Sequence, residues 1–548
     1  MSRFIDGIAD AAAKSSLGLH FGAADALGFA RWSEIHQTAV KIAGRLTADG
    51  VTPGSRVGVL AANAEDVAPV CQGIWMAGAA MTMLQQPSPQ ADLNQWHAGT
   101  LRSLEMLSAR FVVVGQPFLA VAEDLRSSGY HVIEIPDGWP DAAVVMRPTA
   151  EDDVALYQLT SGSTGDPKAV AITHRNLYAN AVAMKKGAAA DPDTDVMMSW
   201  LPLSHDMGLV GFLLTPMYYG VKTVYVPPTE FLKSPLNWIQ LLSEHRATMT
   251  AAPNFAYSII HRRLKAVDDG AYDLSALRFV LCGAEPIDPA TMHEFARQTS
   301  RFGMREEAVV AAYGLAEATL AVSFSQVDRP LTVERLRTRE FETARRAITT
   351  TGCADASLKD VVLLGPPLAG TEVRVLGVDG VTLPARHVGE IAIRGDAVTR
   401  HYATSEGEVA AIDDHGWLHT GDLGYLTHTG EVAVCGRLKN VIIVAGRNIF
   451  PCDLERLAES ADGIRRGAVV AFGVSRPDQR EEIRIVAETM EKYPDDVSQA
   501  IRRQVARSVF NATGLSPSVM LVDKGVIPKT PSGKIRHVAA KETFEKAS

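Results

Sequence analysis

Between about residues 30 and 325 the chain alternates short runs of Val, Ile and aromatics with longer stretches of helical character. The runs are SRVGVLAAN, RFVVVG, HVIEIP, KTVYVPP, ATMTAAPNF and LRFVLCGAEP. Such alternation predicts a layered α/β architecture with a substantially parallel sheet. In sheets of that kind ligands collect outside the carboxyl ends of the strands. From 361 to 436 the apolar period drops to two in TEVRVLGVDG, VGEIAIRG and GEVAVCGR, broken by Asp-Gly and Thr-Gly turns, which predicts a small all-β, barrel-like subdomain. Beyond Gly436 two further strand-like runs, GAVVAFGV and EIRIVAET, precede a helix expected near 495–512. The expected division is therefore a large N-terminal domain, 1–437, and a small α+β C-terminal domain, 438–548.

Two segments carry a second reading. GLVGFLLTPMYYGV, 208–221, contains a proline and is too short to span a bilayer; it reads equally as a buried helix or as the wall of an alkyl tunnel. RLRTREFETARR, 335–346, is densely charged and reads as a solvated helix face. With 548 residues, 47% hydrophobic and 21% charged, the chain has room for roughly three or four domain-sized units and an interdomain cleft. A net charge of −9 argues against a nucleic acid or an anionic membrane held by bulk charge. Cys71, Cys282, Cys353, Cys435 and Cys452 are scattered and form no CxxC, so they read as reduced thiols rather than a disulfide framework or zinc site. MSRFIDGIADAAAKSSLG lacks a signal-peptide core, and the expected compartment is the cytoplasm.

Candidate chemistry begins at LTSGSTGDPKAV, 159–170. A loop of Gly, Ser and Thr contributes little to a core, but its backbone N–H groups, hydroxyls and one lysine suit an anion, phosphate first. It is not a Walker A loop, because Gly162 is followed at that spacing by Pro167 and Lys168 with no hydroxyl after them. Taken alone, it is also readable as an exposed Ser/Gly turn. Six further segments accompany it: WLPLSHDMG, CGAEP, AAYGLAEAT, HTGDLGY, GRLKN with GRNIFP, and IPKTPSGKIR.

In this order the set resembles the adenylate-forming superfamily over nearly the whole chain, and SWLPLSHDMGL, AAPNFAY, AAYGLAEATLAVS and GRNIFP are most similar to its fatty acyl-AMP ligases. The resemblance implies ATP and Mg²⁺ as cofactors, a fatty acid as substrate, and a mobile C-terminal domain. It also implies transfer of the acyl group to the phosphopantetheine arm of an acyl carrier protein. By the same resemblance Thr160, Ser161, Gly162, Ser163, Thr164, Gly165 and Lys168 close over the phosphates. Gly283, Ala284 and Glu285, with Tyr313 and Gly314, form the adenine pocket, and Asp422 and Arg437 hold the ribose. Glu317 and Thr164 take the metal, Lys534 is the catalytic lysine on the reacting carboxylate and α-phosphate, and Lys439 is the hinge. His205 and Met207 are expected in the acyl wall, since attack by an ionised carboxylate needs no general base.

The resemblance extends to ligases that supply acyl tails for lipids and siderophores, the mycobactin type among them. Fatty acyl-AMP ligases carry an extra segment that restrains the small domain, and the 48 positions from Glu317 to Gly365 leave room for one. Ala169, Asn440 and Ser204 depart from the family pattern, the last bearing on pocket width. A fatty acyl-CoA ligase remains an alternative, as does an amino-acid or aryl-acid adenylating enzyme, for which Asp206 is the nearest partner for an ammonium.

Overall fold

The computed structural model describes residues 2–87, 92–143, 146–160, 168–350, 358–444, 446–475, 481–529 and 535–545. The six apolar runs all form strands, divided between two sheets instead of lying in one. Arg56–Leu60, Phe111–Val114 and His131–Glu134 are neighbours in the first; Lys222–Tyr225, Met249–Ala252 and Phe279–Cys282 belong to the second. Each sheet has eight strands among the described residues, parallel through its middle and antiparallel toward an edge. The principal apolar cluster takes Val57 and Leu156 from one sheet and Val224 and Val280 from the other. Between the sheets lies the helix Ala64–Met76, in which every residue except Glu65 and Asp66 is buried. A helix apolar on nearly all faces has no solvent side to offer.

Within 361–436 the strands Thr371–Leu376, Gly389–Gly395, Leu418–Leu426 and Val432–Arg437 form a four-stranded antiparallel sheet. The hairpin His401–Thr404 and Gly407–Ala410 leaves it and adds to the first large sheet, with Tyr402 opposite Val170. The period-two pattern specified strands but not their sheet, because pairing partners are fixed by packing. A single turn, Leu438–Asn440, follows.

After that turn, the sheet of Ile464–Ser475, Glu481–Thr489 and Ser518–Val522 packs with helices Pro451–Glu459 and Asp495–Thr513 around a separate apolar cluster. Helix Asp495–Thr513 buries Ile501, Val505 and Val509, four residues apart, and ends at Gly514 in the left-handed conformation, φ 71°. That stripe and glycine stop are what its sequence pattern encodes. The charged stretch 335–346 departs from its expected solvated face. Its first residues end the strand Val333–Arg337, the helix Thr338–Ala344 follows, and Phe341 and Glu342 are buried. Among the described residues no helix is long and apolar enough to cross a membrane.

Candidate active site

Several chain reversals converge on one cleft of about 1280 Å³. Thr160 ends one strand of the first large sheet, and Lys168 begins the next. From the second large sheet, Gly283 to Glu285 follow one strand while Tyr313 and Gly314 end another. All of these line the cleft, as do Glu317, Arg437 and Lys439. The expected Ser161, Gly162, Ser163, Thr164, Gly165 and Lys534 lie outside the described residues; Ile535, next to Lys534, lines the cleft.

Local backbone demands explain some residue types. Gly314 has the carbonyl of Leu320 only 2.1 Å from where a Cβ would sit, and that carbonyl accepts from Leu315 N–H. A side chain there would push the two apart. Ala284 adopts φ 70°, a conformation unusual for a residue with a Cβ. Glu285 Oε1 accepts from Phe255 N at 2.7 Å, at the start of helix Asn254–Leu264, so this carboxylate also organises the neighbouring wall.

On one side of the cleft Lys168 Nζ stands 3.7 Å from Glu317 Oε1, to which Tyr402 donates at 3.0 Å. Nearby, Tyr313 donates to Asp422 Oδ2 at 2.7 Å, and Arg437 Nε lies 2.9 Å from Oδ1. Asp422 is buried behind these two side chains, off the cleft surface. Burial pushes its carboxyl up, against the pull of Arg437 and Tyr313. Lys439 is shifted down by burial first, then by Arg437 and Lys168; cations from both sides of the cleft thus face one another.

The other arm of the cleft is apolar. Trp200 stacks on Phe231 with centroids 3.9 Å apart, and Phe255 and Met197 continue the wall. His205 and Met207 line it too, but His205 Nδ1 is 2.6 Å from Asp206 Oδ1, which also accepts from Met207 N at 2.7 Å. Asp206 is thus committed to its own turn. The apolar run beyond it is a buried helix of widened pitch, Met207–Leu214, with Thr215 N bonding Val210 O. Met207, Gly211 and Phe212 face the cleft, so the run is both buried helix and cavity wall.

The small domain is held over this cleft by the segment after Glu317. Arg447 bonds Glu342 Oε2 through Nη2 at 2.6 Å and Nε at 2.8 Å, while its Nη1 donates to the carbonyl of Thr513. Asn448 donates to the carbonyl of Glu342 at 2.8 Å, and Arg345 reaches Asn448 Oδ1. Lys359 pairs with Asp453 and sits 4.4 Å from the Phe450 ring centroid and 5.0 Å from that of Phe341. Sequence reasoning supplied the length of this segment but not its contacts.

Glu459, on the cleft side of the small domain, is raised to about 7 by burial, against a hydrogen bond from Gly467 N. A carboxyl whose folded value exceeds its unfolded 4.5 binds more protons folded than unfolded between the two. Stability is therefore lost as pH rises from 4.5 through about 7. Glu459→Gln is expected to flatten that decline, leaving the variant more stable than the parent at pH 8 but not at pH 4. Denaturant unfolding at both pH values measures it; parallel curves for the two proteins would refute the assignment.

Residues 29–403 match the AMP-binding enzyme family, and the chain belongs to that family, within the adenylate-forming superfamily. It is 44% identical over 538 residues to a putative ligase of Mycobacterium tuberculosis, covering 98% of each chain. It is 33% identical to the medium-chain-fatty-acid–[acyl-carrier-protein] ligase JamA of Moorena producens, over 72% of this chain and 68% of JamA. A structure from work on fatty acyl-adenylate ligases of E. coli and L. pneumophila superposes with a TM-score of 0.91 at 30% identity, covering 100% of this chain and 98% of that one. The expected superfamily and α/β architecture are thereby established.

Proposed function

We propose that the protein activates a medium- or long-chain fatty acid with ATP, releases pyrophosphate, and transfers the acyl group to the phosphopantetheine thiol of an acyl carrier protein in lipid, polyketide or siderophore biosynthesis. The observation that carries this reading is the continuity of one cleft, polar at Lys168, Glu317 and Arg437 and apolar at Trp200, Phe231 and Phe255. An anionic headgroup and an alkyl chain fit the two ends. Commitment of Asp206 to His205 and Met207 N favours an acyl chain over an amino acid, whose ammonium would need a carboxylate.

A fatty carboxylate is already ionised at neutral pH, so the barrier is bringing one anion onto another. On this reading Lys168 binds the triphosphate, Tyr313 and Arg437 orient the nucleoside, and Lys534 serves the reacting oxygens. Among the described residues no cluster of three acidic, His or Cys side chains could cage a metal. Glu317 offers an oxygen, Oε2, with no hydrogen bond from a described residue, which suits Mg²⁺ shared between one carboxylate and substrate phosphates. Bound there with Thr164, the ion would neutralise phosphate charge. Lys439, in the turn between the last strand of the four-stranded sheet and the small domain, is the proposed hinge; residues 1–437 and 438–548 would move about it before thioester formation.

Ties between the small domain and the 333–362 segment support the carrier-protein acceptor over coenzyme A, because they oppose free rotation of that domain. The test is to incubate the protein with α-labelled ATP, Mg²⁺ and fatty acids of increasing length, with and without coenzyme A. Acyl-AMP that persists in the presence of coenzyme A and is consumed by a phosphopantetheinylated carrier protein is the expected result. Rapid acyl-CoA formation would make the protein an acyl-CoA ligase. In the same assay Arg437→Ala is expected to weaken nucleotide binding; retained affinity would remove it from the ribose site.

A further inference from the structure

Lys168 begins a strand of the first large sheet and Glu317 lies in the short turn between two strands of the second, yet their charged ends meet at 3.7 Å. The segment 397–402 spans the gap between them. Thr399 N donates to the carbonyl of Glu317 at 2.8 Å and its hydroxyl donates to the carbonyl of Ala171, in the Lys168 strand. Thr319 donates to the carbonyl of Ala397 at 2.7 Å from a tight turn in which Leu320 N bonds Ala318 O. Thr319 holds φ 67° while fully buried, a costly conformation for a β-branched residue that persists only where the surroundings enforce it. The chain thus spends strain just beyond Glu317 to fix that turn against this segment.

Tyr402 completes the bridge with its side chain. Its backbone pairs with Val170, its hydroxyl donates to Glu317 Oε1 at 3.0 Å, and Lys168 Nζ rests 3.9 Å above its ring centroid. One phenol therefore touches both groups through different atoms. Because Lys168 and Tyr402 both address Oε1, Oε2 is turned away from them.

We propose that Tyr402 is a positioning residue for the metal-and-phosphate end of the site, its hydroxyl aiming the Glu317 carboxylate at the cation and its ring seating Lys168 for the triphosphate. This rests on the roles given to Glu317 and Lys168 above. Partners of a metal-binding carboxylate typically cost about tenfold or more in metal affinity when removed. A cation over an aromatic face is worth a few-fold in binding at a half-exposed site.

The two halves separate by substitution. Tyr402→Phe keeps the ring and loses the hydroxyl; Tyr402→Leu loses both. Binding of AMP and of a non-hydrolysable ATP analogue, with and without Mg²⁺, is measured by calorimetry for the parent, both variants and Glu317→Gln, alongside the Mg²⁺ dependence of adenylate formation. Tyr402→Phe is expected to raise the half-saturating Mg²⁺ concentration about tenfold, with metal-free analogue affinity and AMP affinity unchanged. Tyr402→Leu should in addition weaken metal-free analogue binding about threefold, again sparing AMP. A Tyr402→Phe protein with the parental Mg²⁺ response, while Glu317→Gln loses it, overturns the role of Tyr402 alone. Glu317→Gln retaining the full response overturns the metal assignment and the proposal with it. Loss of AMP affinity in step with the other readouts marks a general structural defect and also overturns it.

Discussion

Lys534→Ala is expected to lower acyl-adenylate formation by a hundred- to thousandfold, equivalent to about 3 to 4 kcal/mol by comparison with the loss of a single oxyanion donor, while ATP binding is largely retained. The asymmetry follows from where charge changes. In the ground state the triphosphate is held by many donors, of which one lysine is a small part. As the carboxylate oxygen approaches α-phosphorus, negative charge gathers on atoms that the other proposed cations do not reach. Lys534 is expected to meet that charge: Ile535 and Lys529, on either side of it, pair with one another and both line the cleft. Pre-steady-state formation of acyl-AMP from labelled ATP, set beside equilibrium ATP binding, separates the two effects. Undiminished adenylation would transfer the role elsewhere; an equal loss of binding would make Lys534 a nucleotide anchor.

Cutting the ties to the small domain is expected to change the acceptor. In Lys359→Ala, Asp453 loses the partner of an ion pair whose lysine end is only 9% exposed. Breaking a buried pair by removing one partner costs about 3 to 5 kcal/mol, here drawn mainly from docking of the small domain, because Phe341 and Phe450 lose the cation between them as well. Glu342→Ala acts in the same sense by releasing Arg447, while Asn448 keeps its bonds to the residue 342 carbonyl and to Arg345. The double variant should still form acyl-AMP, since neither residue lines the cleft, but should pass a measurable share of it to coenzyme A. Faster proteolysis near Lys439 should accompany the change. A loosened domain with no acyl-CoA produced would show that pocket chemistry, and not restraint, selects the acceptor.

The particular residues divide according to how their information is written in the chain. Strand segments such as RFVVVG and LRFVLCGAEP, and the helix ending at Gly514, were legible because burial and backbone conformation act over a few neighbouring positions. Gly314, Glu317, Lys168 and Arg437 were legible because their motifs are contiguous, and the structure brings all four to one cleft. Asp422 was legible as a carboxylate, whereas its present engagement by Tyr313 and Arg437 was not.

What the sequence by itself determined is the set of strands marked by short apolar runs, RFVVVG and LRFVLCGAEP among them, the superfamily, and the polar residues that meet in the cleft. Only the tertiary structure decided that the apolar runs divide between two sheets, that the 401–410 hairpin joins the first of them, and that the charged stretch at 335–346 clasps the small domain. It also brought Tyr402 to Glu317, 85 positions away along the chain. The physical reason is common to all of these: hydrogen-bond partners and ion pairs distant in sequence are chosen by which surfaces pack together, and no local period or short motif records that choice.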